Sequence, residues 1–182
     1  MTRLTIVCLV STFAAGCVTI TTTPRLSAGA PSAVALQGHL DFDGGREHLP
    51  APLAALPPAA PDSATVLRYR YEVRTDDTDL SILMLLNPLT LVGCPTGSVT
   101  VTADATLDVL SNGDRIKHYT ARSVARRLRT IYSGDPLSKL RGDALRATAD
   151  NIGGQLAVDA QTLTKLMEAT PGDSPANDGG DR

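Results

Sequence analysis

Cys17 is the residue whose setting most plainly invites chemistry: its thiol follows the small residues Ala14, Ala15 and Gly16, themselves preceded by Phe13. Arg3, the apolar segment from Leu4 to Phe13 and those small residues have the n-region, h-region and cleavage-site layout of a secretory signal. The segment is too short to span a bilayer. A second reactive group is the basic run Arg122, Arg126, Arg127 and Arg129, whose guanidinium groups suit the phosphates of phospholipid or lipopolysaccharide. The plainer reading of that run is a solvated charged face. Asp104, Asp108 and His118 are acid and base groups that an enzyme would have to gather from distant positions. No Gly-x-Ser-x-Gly, Ser-x-x-Lys or His-Glu-x-x-His pattern accompanies them, so hydrolase chemistry has no local support.

The remaining polar groups point to turns. His39, His48 and His118 lack metal-ligand spacing, and Asp41, Asp43 and Glu47 beside Gly44-Gly45 are more simply turn residues than a divalent-ion site. Gly93-Cys94-Pro95-Thr96-Gly97 lacks the Lys and following helix of a phosphate loop and leads into a strand. Cys94 has no basic neighbour to make a thiolate, which leaves it no catalytic role. No cofactor and no metal is expected.

The run Phe13-Ala14-Ala15-Gly16-Cys17 resembles the lipobox of bacterial lipoproteins, with Ala14 where Leu is usual. The resemblance implies that residues 1–16 are removed as a signal peptide and that Cys17, the new N-terminus, carries acyl chains. Each buried methylene contributes about 0.8 kcal/mol, and two or three chains make the membrane anchor effectively permanent. Family sorting rules send lipoproteins without Asp after the cysteine to the outer membrane, and Val18 follows Cys17 here. The resemblance therefore implies a periplasm-facing protein of the outer membrane, the inner membrane remaining open because the rule varies between bacterial groups.

Composition narrows the classes further. Across 182 residues, 17 Lys and Arg against 19 Asp and Glu give a net charge of −2, which suggests no polyanion partner. Aromatic residues make up 3% and Trp is absent, so the core must be Leu, Val, Ile and Ala, without the stacking platforms that single-stranded nucleic acid requires. With Cys8 lost in the signal and Cys17 a thioether, Cys94 is left without an internal disulfide partner.

The elements that must position these residues follow from periodicity. Residues 17–32, rich in Thr, Ser, Ala, Gly and Pro, read as a lipidated N-terminus and flexible tether with an r.m.s. reach of roughly 20 Å. Residues 33–169 form a single domain and residues 170–182 a disordered tail. Period-two alternation predicts strands through Val34–Phe42, Leu67–Val73 and Val99–Val109, and Asn112-Gly113 supplies the turn into a fourth over Arg115–Arg122. Arg46–Leu56 can form a short helix limited by Pro50 and Pro52. Asp135 can cap a helix starting at Pro136, with Leu137, Leu140, Ala144, Thr148, Ile152 and Leu156 as its covering stripe. Gly153-Gly154 marks where that helix would break, leaving Leu163, Leu166 and Met167 in a looser final piece. The expected fold is α+β: a mainly antiparallel sheet of about four strands, one long C-terminal helix and a short N-terminal helix on one face.

One stretch fits no element. Leu80, Ile82, Leu83, Met84, Leu85, Leu86, Leu89, Leu91 and Val92 are nearly continuous apolar residues around Asn87-Pro88, too short to cross a bilayer and without strand alternation. They read either as a core-filling connection or as an apolar loop that dips into lipid or seats in a membrane partner. The whole arrangement is similar to small periplasm-facing lipoproteins of Gram-negative bacteria, including lipopolysaccharide-assembly and transport-auxiliary ones. A likeness of overall plan does not transfer activity; the first expectation is a non-enzymatic envelope lipoprotein binding a membrane partner or lipid through Leu80 to Val92, and the alternatives are a periplasmic enzyme with a dispersed site and a structural component of an envelope complex. Oligomeric state is not readable from the sequence.

Overall fold

Strict alternation builds the centre of the molecule. The computed structural model describes residues 18–26, 36–60, 64–77, 88–91, 95–130, 132 and 137–168. Within it, strand β4 (Gly97–Ser111) buries Val99, Val101, Ala103, Ala105, Leu107 and Val109 on one side and leaves Thr100, Thr102, Asp104, Thr106 and Asp108 on the other. Strand β3 (Thr65–Asp77) lies antiparallel on one side of β4, and strand β5 (Asp114–Arg129) antiparallel on the other. Asn112 at φ 50° and Gly113 at φ 89° make the β4–β5 turn, the paired positive angles that a type I′ hairpin needs. β5 runs well beyond the expected Arg122, so the arginine run is strand throughout.

Two edge strands complete the sheet in the order β1-β5-β4-β3-β2. β1 (Val18–Thr23) pairs antiparallel with β5, and β2 (His39–Asp41) pairs parallel with β3, so the sheet has five strands and is mixed. The expected four-strand, mainly antiparallel sheet is therefore right in outline and short by one strand. The missing strand corrects the tether reading: Val18 to Thr23 is ordered because its backbone groups find partners along Arg122 to Arg127 and its side chains are all β-branched. The chain after it is fastened too, since Asn151 Nδ2 donates to the Pro24 carbonyl at 2.7 Å. The first expected strand, by contrast, shrinks to His39–Asp41 within the described residues, while Leu36 and Phe42 pack against the core beside it. A 3₁₀ turn at Arg46–His48 and the one-turn helix α1 (Ala51–Ala54) replace the helix expected over Arg46–Leu56.

Helix α3 (Leu137–Glu168) covers one face of the sheet in a single unbroken run, α2 being the turn Pro88–Leu91. The expected break at Gly153-Gly154 does not occur. Two glycines cost about 1 kcal/mol each relative to Ala, whereas burying Ile152, Leu156 and Leu163 returns about 1.5–3 kcal/mol apiece. Packing wins, and at Gly154 a Cβ would require only the end of the Leu26 side chain to move. Leu140, Ala144, Thr148, Ile152 and Leu156 face the sheet as the stripe predicted, whereas Leu137, its expected first member, is exposed, and Thr148 is accommodated by donating a hydrogen bond to β5. Ser123 Oγ donates to the Ala144 carbonyl (2.7 Å) and accepts from Thr148 Oγ1 (2.7 Å), so the buried polar pair is satisfied. Asp135 and Pro136 lie outside the described residues.

Two apolar clusters result. Leu53, Leu67, Tyr69, Leu107, Val109, Tyr119, Ile152, Leu156 and Leu163 pack near the hairpin end, with Phe42 stacked obliquely on Tyr69 at 5.4 Å between ring centroids. Val99, Val101, Ala103, Ala125, Leu140, Ala144 and Leu145 pack near the opposite end, joined by Val18. Among the described residues nothing packs on the other face of the sheet, which carries Arg68, Arg70, Glu72, Arg74 and Arg122 exposed.

Candidate functional site

Strand parity decides what the arginines can do together. Arg122 and Arg126 occupy open-face positions of β5, while Arg127 and Arg129 fall on the side that α3 covers. The run is thus two pairs on opposite faces rather than one patch. Arg122 grips Asp104 through Nε at 2.5 Å and Nη2 at 3.2 Å, and Arg129 Nη1 meets Asp77 at 2.8 Å. Arg126 has a contact of 3.4 Å from Nη2 to Ser98 Oγ. Arg127 Nε is buried and has no hydrogen-bond partner among the described residues.

The open face holds the other predicted chemistry as well. His118 Nδ1 stands 2.7 Å from Asp108 Oδ1, directly across the β4–β5 ladder, with Arg115 Nη1 3.6 Å from the same oxygen. Asp104, one of the three residues an enzyme would recruit, is four strand positions from Asp108, roughly 13 Å, and already carries Arg122. The structure therefore brings Asp108 and His118 together and leaves Asp104 apart. On the same face Asp41 accepts from Arg68 Nε (2.7 Å) and Arg70 Nη2 (3.2 Å). The Arg68 hydrogen bond holds the Asp41 carboxyl below its ordinary range, opposed by burial and helped by Arg70. Among the described residues no three His, Cys, Asp or Glu side chains converge to hold a metal ion.

The register brings the entry of β1, the exit of β3 and the start of β4 to one end of the sheet. Val18 pairs with Arg127, Arg127 with Val99, and Val99 with Asp77, a single row across one end of the sheet. β3 ends at Asp77 and β4 begins at Gly97, so the connection carrying the apolar stretch leaves and returns at the end where the chain comes in from Cys17. Of that connection, Pro88–Leu91 is a helical turn with Pro88 at its first position, where a missing N–H is harmless, and Thr90 is buried. Cys17, Cys94, Leu80, Ile82, Leu83, Met84, Leu85, Leu86 and Val92, and the side chains of Leu89 and Leu91, lie outside the described residues. No helix among the described residues is long and apolar enough to cross a membrane. Sequence reasoning missed the row because it missed β1; the run Val18-Thr19-Ile20-Thr21-Thr22-Thr23, β-branched at every position, was the available signal.

The fold is an α+β layer pair, one long helix on a five-stranded mixed sheet. No protein-family model matches the chain, and no curated protein matches it. Among solved structures the chain is similar to a minor lipoprotein from Acinetobacter baumannii, at 14% identity and a TM-score of 0.43 over 69% of this chain and 89% of that one.

Proposed function

We propose that this chain is a lipid-anchored, non-enzymatic protein of the bacterial cell envelope that binds a membrane partner or lipid through the apolar stretch Leu80 to Val92. The observation that carries the reading is the run Phe13-Ala14-Ala15-Gly16-Cys17 behind an n-region and h-region, one residue before a folded strand. Support comes from topology, since the apolar connection springs from the sheet end at which Cys17 joins. Acyl chains on Cys17 would hold that connection at the bilayer surface, where a short link gives it a high effective concentration. Val18 after Cys17 favours the periplasmic side of the outer membrane. The paired Asp108 and His118 have Arg115 beside them on an open face, an ion-pair setting rather than a convergent acid–base site.

Mass spectrometry of the N-terminus of the membrane-extracted protein tests the anchor. The expected species begins at Cys17 and carries two or three acyl chains. An unmodified terminus on protein recovered from the soluble fraction refutes it.

A further inference from the structure

The link between anchor and domain has almost no slack. Val18 is already in β1, and one trans peptide separates its Cα from that of Cys17 by about 3.8 Å, against the roughly 20 Å that a fifteen-residue tether would allow. β1 is hydrogen-bonded to β5, and the chain behind it is held to α3 by Asn151. An anchor at Cys17 therefore fixes a particular end of the sheet beside the bilayer.

That end is chemically suited to a headgroup layer. Arg126 and Arg127 sit there, beside Arg129 with its partner Asp77, and the first two turns of α3 add the exposed Lys139 and Arg141. Among the described residues of this end, Asp76, Asp77 and Asp143 accompany these five cations, while Asp79 and Asp135, which flank β3 and α3 in the chain, lie outside the described residues. Exposed apolar side chains gather there as well: Leu128 is 45% exposed, Tyr132 three residues past β5 is 69% exposed, and Leu137 opens α3 at 36%. Cations beside exposed Leu and an amphipathic Tyr match the phosphate level of a bilayer, where one end of the ring is apolar and the other wet. The far end of the sheet, the Asn112-Gly113 turn, lies roughly 40 Å away along β4.

Resting on the acylation proposed above, we infer that the domain stands end-on to the membrane, its Val18–Arg127–Val99–Asp77 end against anionic phospholipid phosphates that Arg126 and Arg127 contact. The charged open face of the sheet then stands clear of the bilayer, available from the aqueous side.

The test uses full-length acylated protein in vesicles of phosphatidylcholine and phosphatidylglycerol, with Cys94→Ser and a single fluorophore on Ser138→Cys or on Asp114→Cys. A nitroxide carried on the lipid headgroup should quench the Ser138 label several-fold more than the Asp114 label. Arg126→Glu should weaken that contrast severalfold at an unchanged melting temperature, as should replacing phosphatidylglycerol by phosphatidylcholine. Equal quenching at the two labels, with Cys17 shown by mass to be acylated, overturns the orientation while leaving the anchor standing. An unacylated Cys17 removes the functional reading beneath it. A contrast indifferent to Arg126→Glu and to lipid charge overturns the phosphate contact.

Discussion

Asp159 shows how single side chains lock the helix to the sheet. Its carboxylate accepts from Tyr119 Oη at 3.1 Å and lies 2.9 Å from Lys117 Nζ, tying α3 to β5 near the hairpin end. The Lys117 hydrogen bond holds the Asp159 carboxyl below its ordinary range, with burial opposing and Tyr119 assisting. Burial first, and then the Asp159 charge, pushes the Tyr119 phenol upward, so it stays a donor throughout the physiological range. A carboxyl whose pKa is depressed by folding adds stability above its unfolded value and loses it as pH falls through the folded one. Both partners are about one-third exposed, so the contribution is modest. Asp159→Asn should therefore cost about 1 kcal/mol at pH 7, by thermal or urea denaturation, and the difference from the unaltered protein should close as pH falls below the ordinary carboxylate range. A difference that is constant from pH 7 down to acid unfolding contradicts the ion-pair account.

At the scale of elements, α3 is the case where packing overrides local preference. It carries Gly142, Gly153 and Gly154 within one continuous helix. A Cβ at Gly153 would only touch Pro50 and Pro52 at ordinary contact distance, whereas one at Gly154 would require the end of the Leu26 side chain to shift. Around Gly142 a Cβ would meet nothing within 4 Å, so its cost in helix propensity is uncompensated. Gly142→Ala should stabilise the domain by about 0.5–1 kcal/mol, read as a raised urea midpoint with an unchanged slope. β4 and the β4–β5 hairpin could be read from the chain because alternation and an Asn-Gly turn are local instructions. The register shift between Val109 and Leu110, which leaves Ile116 as the extra residue of β5, was not readable, since it depends on how two strands meet.

For the molecule as a whole, the sheet has a covered face, an open charged face and one end where the chain from Cys17 and the apolar connection both join. If that connection serves lipid or a membrane partner, Leu85→Ser with Leu86→Ser should leave the melting temperature within a few degrees. It should also lower the partitioning of the chain from Val18 onward onto phospholipid vesicles several-fold, measured by co-sedimentation. A collapse of thermal stability would assign those leucines to the core instead, as burial of two Leu side chains is worth about 3–6 kcal/mol. The end-on orientation and the loop are separable, because one is read from label depth and the other from partitioning.

Nearest-neighbour information was complete in the chain itself: the two faces of β4, the type I′ turn and the stripe from Leu140 to Leu156 each depend on residues within a turn or two of one another. Which residues of the basic run could act together was not, because a side chain's face depends on whether its segment is strand or helix, and β5 was shorter in expectation than in fact. The role of Val18 to Thr23 was decided furthest from its own sequence. An edge strand rich in threonine gains its order from a partner about a hundred residues away, and only that pairing turns an expected tether into part of the sheet.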